Sequence, residues 1–170
     1  MLIKLSRQDA HTAEIMGADT VALCKLQGFS PRLENENQSR EEANAFGYKA
    51  EFAVARLFNS DLPQINVLSD GGVDLWLDDI PVDVKFTNQE RGPLIFDSMA
   101  KFRAEIAILV GRTNDDDVMR INGWMLRSDF KDHCKKVDFG YGVRLCVEAD
   151  FMSPMGELWE FLQQRKWGTK

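Results

Sequence analysis

The chain is 170 residues long and 44% apolar, enough material for one hydrophobic core of ordinary domain size. Its 27 acidic and 21 basic side chains give a formal charge of −6. That is the wrong sign for a protein that coats nucleic acid nonspecifically, although a local groove or an acidic site neutralised by cations still admits a phosphate backbone. No run approaches the roughly 18 to 20 apolar residues needed to span a bilayer. Met1–Ser6 is followed at once by Arg7, Gln8 and Asp9, unlike a signal peptide, so the expectation is a soluble cytoplasmic protein with no membrane segment. Cys24, Cys134 and Cys146 are odd in number, far apart and without CxxC spacing; they are expected to be reduced, with at least two buried as small hydrophobes.

Ser6 to about Gly28 carries Ile15, Val21, Ala22, Leu23 and Leu26, interrupted by Gly17, and predicts one or two helices that stop at Gly28. Phe29 to Ser39, with Ser30, Pro31, Asn35 and Asn37, predicts a loop that ends in an N-cap at Ser39. A long helix then runs from Arg40 to about Phe58, with Phe46, Ala50, Ala53, Val54, Leu57 and Phe58 on one stripe at the helical period. Ile65–Leu68 reads as a short strand before the turn Ser69, Asp70, Gly71, Gly72.

Val73, Leu75 and Leu77 alternate with Asp74, Trp76 and Asp78, and Val82, Val84 and Phe86 alternate with Asp83, Lys85 and Thr87, which together predict a β-hairpin turning at Asp78–Ile80. Ala104–Val110 has the length of a buried strand, Asn114–Asp117 turns, and Met119–Met125 reads as the neighbouring strand. Ser128 is placed to cap a short helix toward His133, Val143–Val147 predicts a last strand, and Pro154 opens a terminal helix with Leu158, Phe161 and Leu162 on one face. The four tryptophans, Trp76, Trp124, Trp159 and Trp167, read as core or interface aromatics.

The period of two puts Asp83 and Lys85 on one face of the hairpin, and simple register brings Asp74 across from Asp83. Two facing carboxylates repel unless a cation sits between them, and Mg²⁺ takes such hard oxygen ligands while keeping positions for water and phosphate. At about 100° per residue, Glu51 falls at the edge of the long helix's apolar stripe, within reach of a site beside the sheet. Gly47, one turn earlier, leaves room for a close approach by the helix or by a nucleic-acid backbone.

These segments, GYKAEFAVARLF and then GGVDLWLDDIPVDVKFT, resemble the PD-(D/E)xK nuclease superfamily, with its helical Glu followed by a hairpin bearing Asp and (D/E)xK. The motifs cover about Arg40 to Thr87 and, more loosely, the strands that follow; Val73 stands where the family often has Pro. The resemblance implies a single restriction-endonuclease-like α/β domain over 1–170, with a mixed sheet of about four or five strands flanked by helices. Residues 1–38 would form an N-terminal helical extension, 39–130 the motif-bearing core and 131–170 a C-terminal cap. It implies Mg²⁺-dependent hydrolysis of DNA phosphodiesters, with Mn²⁺ able to substitute. Asp74, Asp83 and the Val84 carbonyl would hold one ion, and Glu51 would hold or support a second. Lys85 would orient the attacking water and offset charge on the phosphate. DNA is the implied partner, and a homodimer is a form such enzymes often take.

Singly, each of these residues has an ordinary explanation, such as a solvated helix Glu, hairpin carboxylates or a surface ion pair. Their order and placement together carry the catalytic expectation. A catalytically silent nuclease-fold binding or assembly protein, a relative acting on RNA and a protein-docking domain are the alternatives. Arg40, Lys49, Arg56, Lys101, Arg103 and Arg112 are the candidate backbone contacts, and Lys85→Ala is expected to cost little stability.

Overall fold

The computed structural model describes residues 1–28, 38–65, 72–140 and 142–168, so the expected loop at 29–37, most of the expected strand at 65–68 and the turn at 69–71 lie outside the described residues. Helix α1 (Arg7–Leu26) is one continuous helix, started by the Ser6 hydroxyl accepting from the Asp9 N–H at 3.0 Å. Helix α2 (Arg40–Phe58) is capped in the same way by Ser39, which accepts from the Glu42 N–H at 3.0 Å, and ends where Asn59 turns left-handed at φ 52°. Gly17 lets the two helices touch backbone to backbone. A Cβ there would stand 2.6 Å from the Ala45 nitrogen and 2.7 Å from the Glu41 carbonyl oxygen.

The main sheet has five strands: β1 (Leu2–Lys4), β2 (Leu75–Leu77), β3 (Ile80–Thr87), β5 (Ile106–Arg112) and β6 (Val118–Leu126), in the order β1-β6-β5-β3-β2. Only β3 and β5 run parallel, so the sheet is mixed and the architecture is α/β. A second, three-stranded sheet is built from β4 (Leu94–Phe96), β7 (Lys135–Asp138) and β8 (Val143–Val147), in the order β4-β8-β7. Helix α3 (Arg127–His133) follows β6 directly, and α4 (Met155–Gly168) closes the chain.

The main sheet separates two apolar layers. On one face Val82, Val84, Ile106 and Ile108 pack with Phe46, Ala50 and Phe52 of α2 and with Met155, Leu158 and Leu162 of α4. On the other, Ala107, Leu109 and Met125 pack with Leu94, Phe96, Phe102 and Phe130. In the second layer the Phe96 and Phe102 rings stack at 4.3 Å and 3° between planes, with Phe130 edge-on to both.

Several expectations change in detail. The α3 helix begins at Arg127, with extended Leu126 at its cap and no side-chain cap, and the Ser128 hydroxyl donates to its neighbour Asp129. Only Cys146 of the three cysteines is buried. Trp124 is core and Trp159 stacks on Phe58 at 4.9 Å, but Trp76 on edge strand β2 is 58% exposed. Among the described residues no helix is long and apolar enough to cross a membrane.

Candidate functional site

The four expected site residues lie where β2, β3 and α2 meet, but not as a simple hairpin would arrange them. Leu75 is the ladder partner of Val82, and the Asp74 N–H also donates to the Val82 carbonyl at 2.8 Å. Two consecutive residues therefore face one, which is a β-bulge at the end of β2. The alternation resets there. Val73 packs in the layer with Phe96 and Phe102, whereas Leu75 and Leu77 pack in the layer with α2, so the three do not share a face.

The bulge re-aims Asp74. Its carboxylate accepts from the Val84 N–H at 2.6 Å, beyond the last residue pair of the β2–β3 ladder. On its other side Asp74 lines a cleft of about 630 Å³ shared with Glu51, Gly47 and Tyr48 of α2, with Asp61 and with the exposed Trp76. Glu51 and Asp74 are thus brought together. The Tyr48 hydroxyl is tied to Thr20 of α1 at 2.9 Å, which fixes the far wall. Gly47 has nothing within 4 Å of the place a Cβ would occupy, so its lack of a side chain widens the cleft and is not forced by packing.

Asp83 and Lys85 alternate with Val82 and Val84 and so project from the opposite face of β3. The Lys85 ammonium pairs directly with the Asp83 carboxylate; Asp83 is 0% exposed and Lys85 37%. Lys85 also lies 5.1 Å from the centre of the Phe96 ring. A carboxylate sealed from water stays ionised only with a cation against it, and here Lys85 supplies that charge while its stem reaches the surface. Glu51 and Asp74 therefore share the cleft, while Asp83 and Lys85, which do not line it, are paired on the other face of β3, and the Val84 N–H connects Asp74 to that strand. Among the described residues no three His, Cys, Asp or Glu side chains stand together as a ready-made metal cage.

Three of the expected backbone-contacting cations are already committed. Lys49 is buried, with its ammonium 3.2 Å from Glu14 and 3.1 Å from Asp117. Arg56 grips Asp9 through two hydrogen bonds of 2.7 and 3.1 Å, and Arg112 is held by Glu42 and Asp116. The Arg56 grip, helped by Ser6, holds the Asp9 carboxyl below its ordinary range against the opposing effect of burial. Sequence patterning gave no sign that a lysine on the polar side of α2 would be buried, because the groups that compensate it come from α1 and the turn before β6.

Comparison with family models, with curated proteins and with solved structures gives no match to this chain.

Proposed function

We propose that the protein is a metal-dependent deoxyribonuclease of restriction-endonuclease-like fold, hydrolysing DNA phosphodiesters with Mg²⁺ or Mn²⁺. The observation that carries it is the contact set within Asp83-Val84-Lys85. A sealed carboxylate is paired with a surface-reaching ammonium, and Asp74 is hydrogen-bonded to the peptide N–H between them.

The donor set suits a hard divalent cation in kind, since Glu51, Asp74, Asp83 and the Val84 carbonyl offer only oxygen. In this reading Asp74, Asp83 and the Val84 carbonyl hold one ion, and Glu51, across the cleft from Asp74, supports a second. Bound there, Mg²⁺ supplies Lewis acidity and lowers the pKa of water. The protein's own groups do the positioning. Asp74 is fixed by the Val84 N–H, Lys85 directs its ammonium to the attacking water and to the charge that grows on the phosphate, and the Asp83 partnership sets where that ammonium stands. Lysine serves because it is a compact charge on a flexible stem.

The second reading is a catalytically silent nuclease-fold protein that binds or assembles. The cleft lining favours it, since it includes Glu51 and Asp74 but neither Asp83 nor Lys85, and catalysis requires all four to serve one phosphate. Calorimetry with Mn²⁺ separates the two. The proposed enzyme binds the ion in the wild type and loses it in Asp74→Asn and in Asp83→Asn, with each variant shown to be folded. Failure of the folded wild type to take up Mn²⁺ in the presence or absence of DNA sinks the enzymatic reading.

A further inference from the structure

The chain is acidic overall, yet one segment beside Lys85 presents cations that, among the described residues, no carboxylate neutralises. Between β4 and β5 the residues alternate: Phe102 and Ala104 are buried in the second apolar layer, while Lys101 and Arg103 are exposed on the other side. Among the described residues neither has an acidic side chain at ion-pair distance, whereas Arg56, Arg112 and Arg120 are each held by a carboxylate. The acids that bracket the segment are turned to other partners, Asp97 to Arg144 at 2.8 Å and Glu105 to Arg165 at 2.8 Å.

The segment is also fixed in place against the candidate site. A Cβ on Gly72, two residues before Asp74, would stand 3.1 Å from the Lys101 carbonyl and 3.6 Å from the Arg103 Cβ. Gly72 has φ +80°, so it meets this segment in a conformation few other residues adopt. From the other side, the Arg127 guanidinium donates to the carbonyls of Phe102 and Met99. The Phe102 ring stacks on Phe96, over which the Lys85 ammonium lies. The backbone that carries Lys101 and Arg103 is therefore held between Gly72, two residues before Asp74, and the Phe96 ring under Lys85, which gives the two charges a defined place.

We infer that Lys101 and Arg103 form the phosphate-contacting rim of the site, along which a nucleic-acid backbone lies as it passes Lys85. This rests on the nuclease reading for the identity of the polyanion, and it adds which segment the substrate follows: the one between β4 and β5 that packs against Gly72, two residues before Asp74. Such contacts position the backbone and carry no base specificity, so they affect duplexes of different sequence alike.

The test is fluorescence anisotropy of a labelled DNA duplex of mixed sequence across a salt series, in EDTA so that cleavage plays no part. The double variant Lys101→Gln/Arg103→Gln is expected to bind about tenfold more weakly or worse, with the log–log salt slope reduced by about two, near one for each phosphate no longer neutralised. Lys4→Gln/Arg7→Gln removes the same charge elsewhere and is expected to leave both unchanged. Lys101→Gln alone, which breaks no hydrogen bond, is expected to lower the slope by about one and covers the case of a misfolded double variant. No binding by the wild type, an unchanged slope in the rim variants, or an equal loss in the Lys4/Arg7 control overturns the inference. A rim-dependent binder that does not cut with Mg²⁺ contradicts the nuclease reading alone; a cutter whose binding ignores the rim contradicts this inference alone.

Discussion

The Asp74 carboxylate accepts a 2.6 Å hydrogen bond from the Val84 N–H, and so takes over an edge of β3 that the bulged end of β2 leaves unpaired. One side chain thereby terminates a sheet ladder and faces the cleft that Glu51 lines. Asp74→Ala leaves the Val84 N–H without that acceptor and is expected to cost about 1–3 kcal/mol in urea unfolding. Asp74→Asn keeps an acceptor oxygen and is expected to cost less than half as much, while abolishing metal-dependent activity as fully as alanine does. Equal stability losses in the two variants would contradict the role given to the acceptor oxygen in holding the strand.

Lys85 and Asp83 are energetically coupled, and this corrects the expectation that Lys85→Ala is nearly silent for stability. Removing the ammonium deprives a carboxylate with 0% exposure of the Lys85 charge, and loss of one partner of a buried pair costs about 3–5 kcal/mol. The partial exposure of Lys85 places the effect toward the lower end. Asp83→Asn/Lys85→Ala is expected to recover much of that loss, so that in a double-mutant cycle from chemical unfolding the double variant loses less than the sum of the two single variants. Additive losses would contradict the pairing.

Arg56 ties α2 to the start of α1 through Asp9, and the sign of its pH dependence follows from the direction of the Asp9 shift. The folded carboxyl lies below its ordinary value of 3.8, first through the Arg56 hydrogen bond and then through Ser6. The stabilisation is therefore complete above that value and is lost as the pH falls through the lower folded one. Asp9→Asn is expected to lower the urea midpoint at pH 7 and to approach the wild type only as the pH falls below 3.8 and through the lower folded value. A constant gap between the two down to acid would contradict this account.

Two helical glycines are expected to respond in opposite directions. Gly17→Val drives side-chain atoms into the backbone of α2 at Glu41 and Ala45, and overpacking of this kind costs about 1–3 kcal/mol or more. Gly47→Ala meets nothing within 4 Å and replaces a poor helix former, which stabilises by about 0.5–1 kcal/mol. Thermal melts of the two variants decide both. Gly47→Leu, which fills the cleft further, is expected to reduce activity without unfolding the protein.

Much of this architecture is legible in the residues. The stripe from Phe46 to Phe58 and the cap at Ser39 define α2, because hydrophobic period and capping are local, whereas Gly17 leaves one or two helices open for the segment that forms α1. The pairing of Ile106–Arg112 with Val118–Leu126 follows from a continuous apolar run beside a polar turn. Strands β1, β4 and β7 are three or four residues long and are stabilised by distant partners, so their own sequence carries too little pattern. The bulge at Asp74 is a one-residue irregularity that sends a side chain to another face, and nothing in Gly72-Val73-Asp74-Leu75 marks it. Sequence thus named the candidate residues and the strand that carries Asp83 and Lys85, while the grouping of the four side chains depends on that bulge.

The most direct measurement is cleavage of linear, circular, single-stranded and branched DNA with Mg²⁺ or Mn²⁺ by the wild type and by Asp83→Asn, purified identically and matched for folded content by circular dichroism. The account predicts metal-dependent cutting by the wild type that is lost in Asp83→Asn and abolished by EDTA. Folded wild-type protein that cuts none of these substrates, or an Asp83→Asn variant that cuts as well as the wild type, would contradict it.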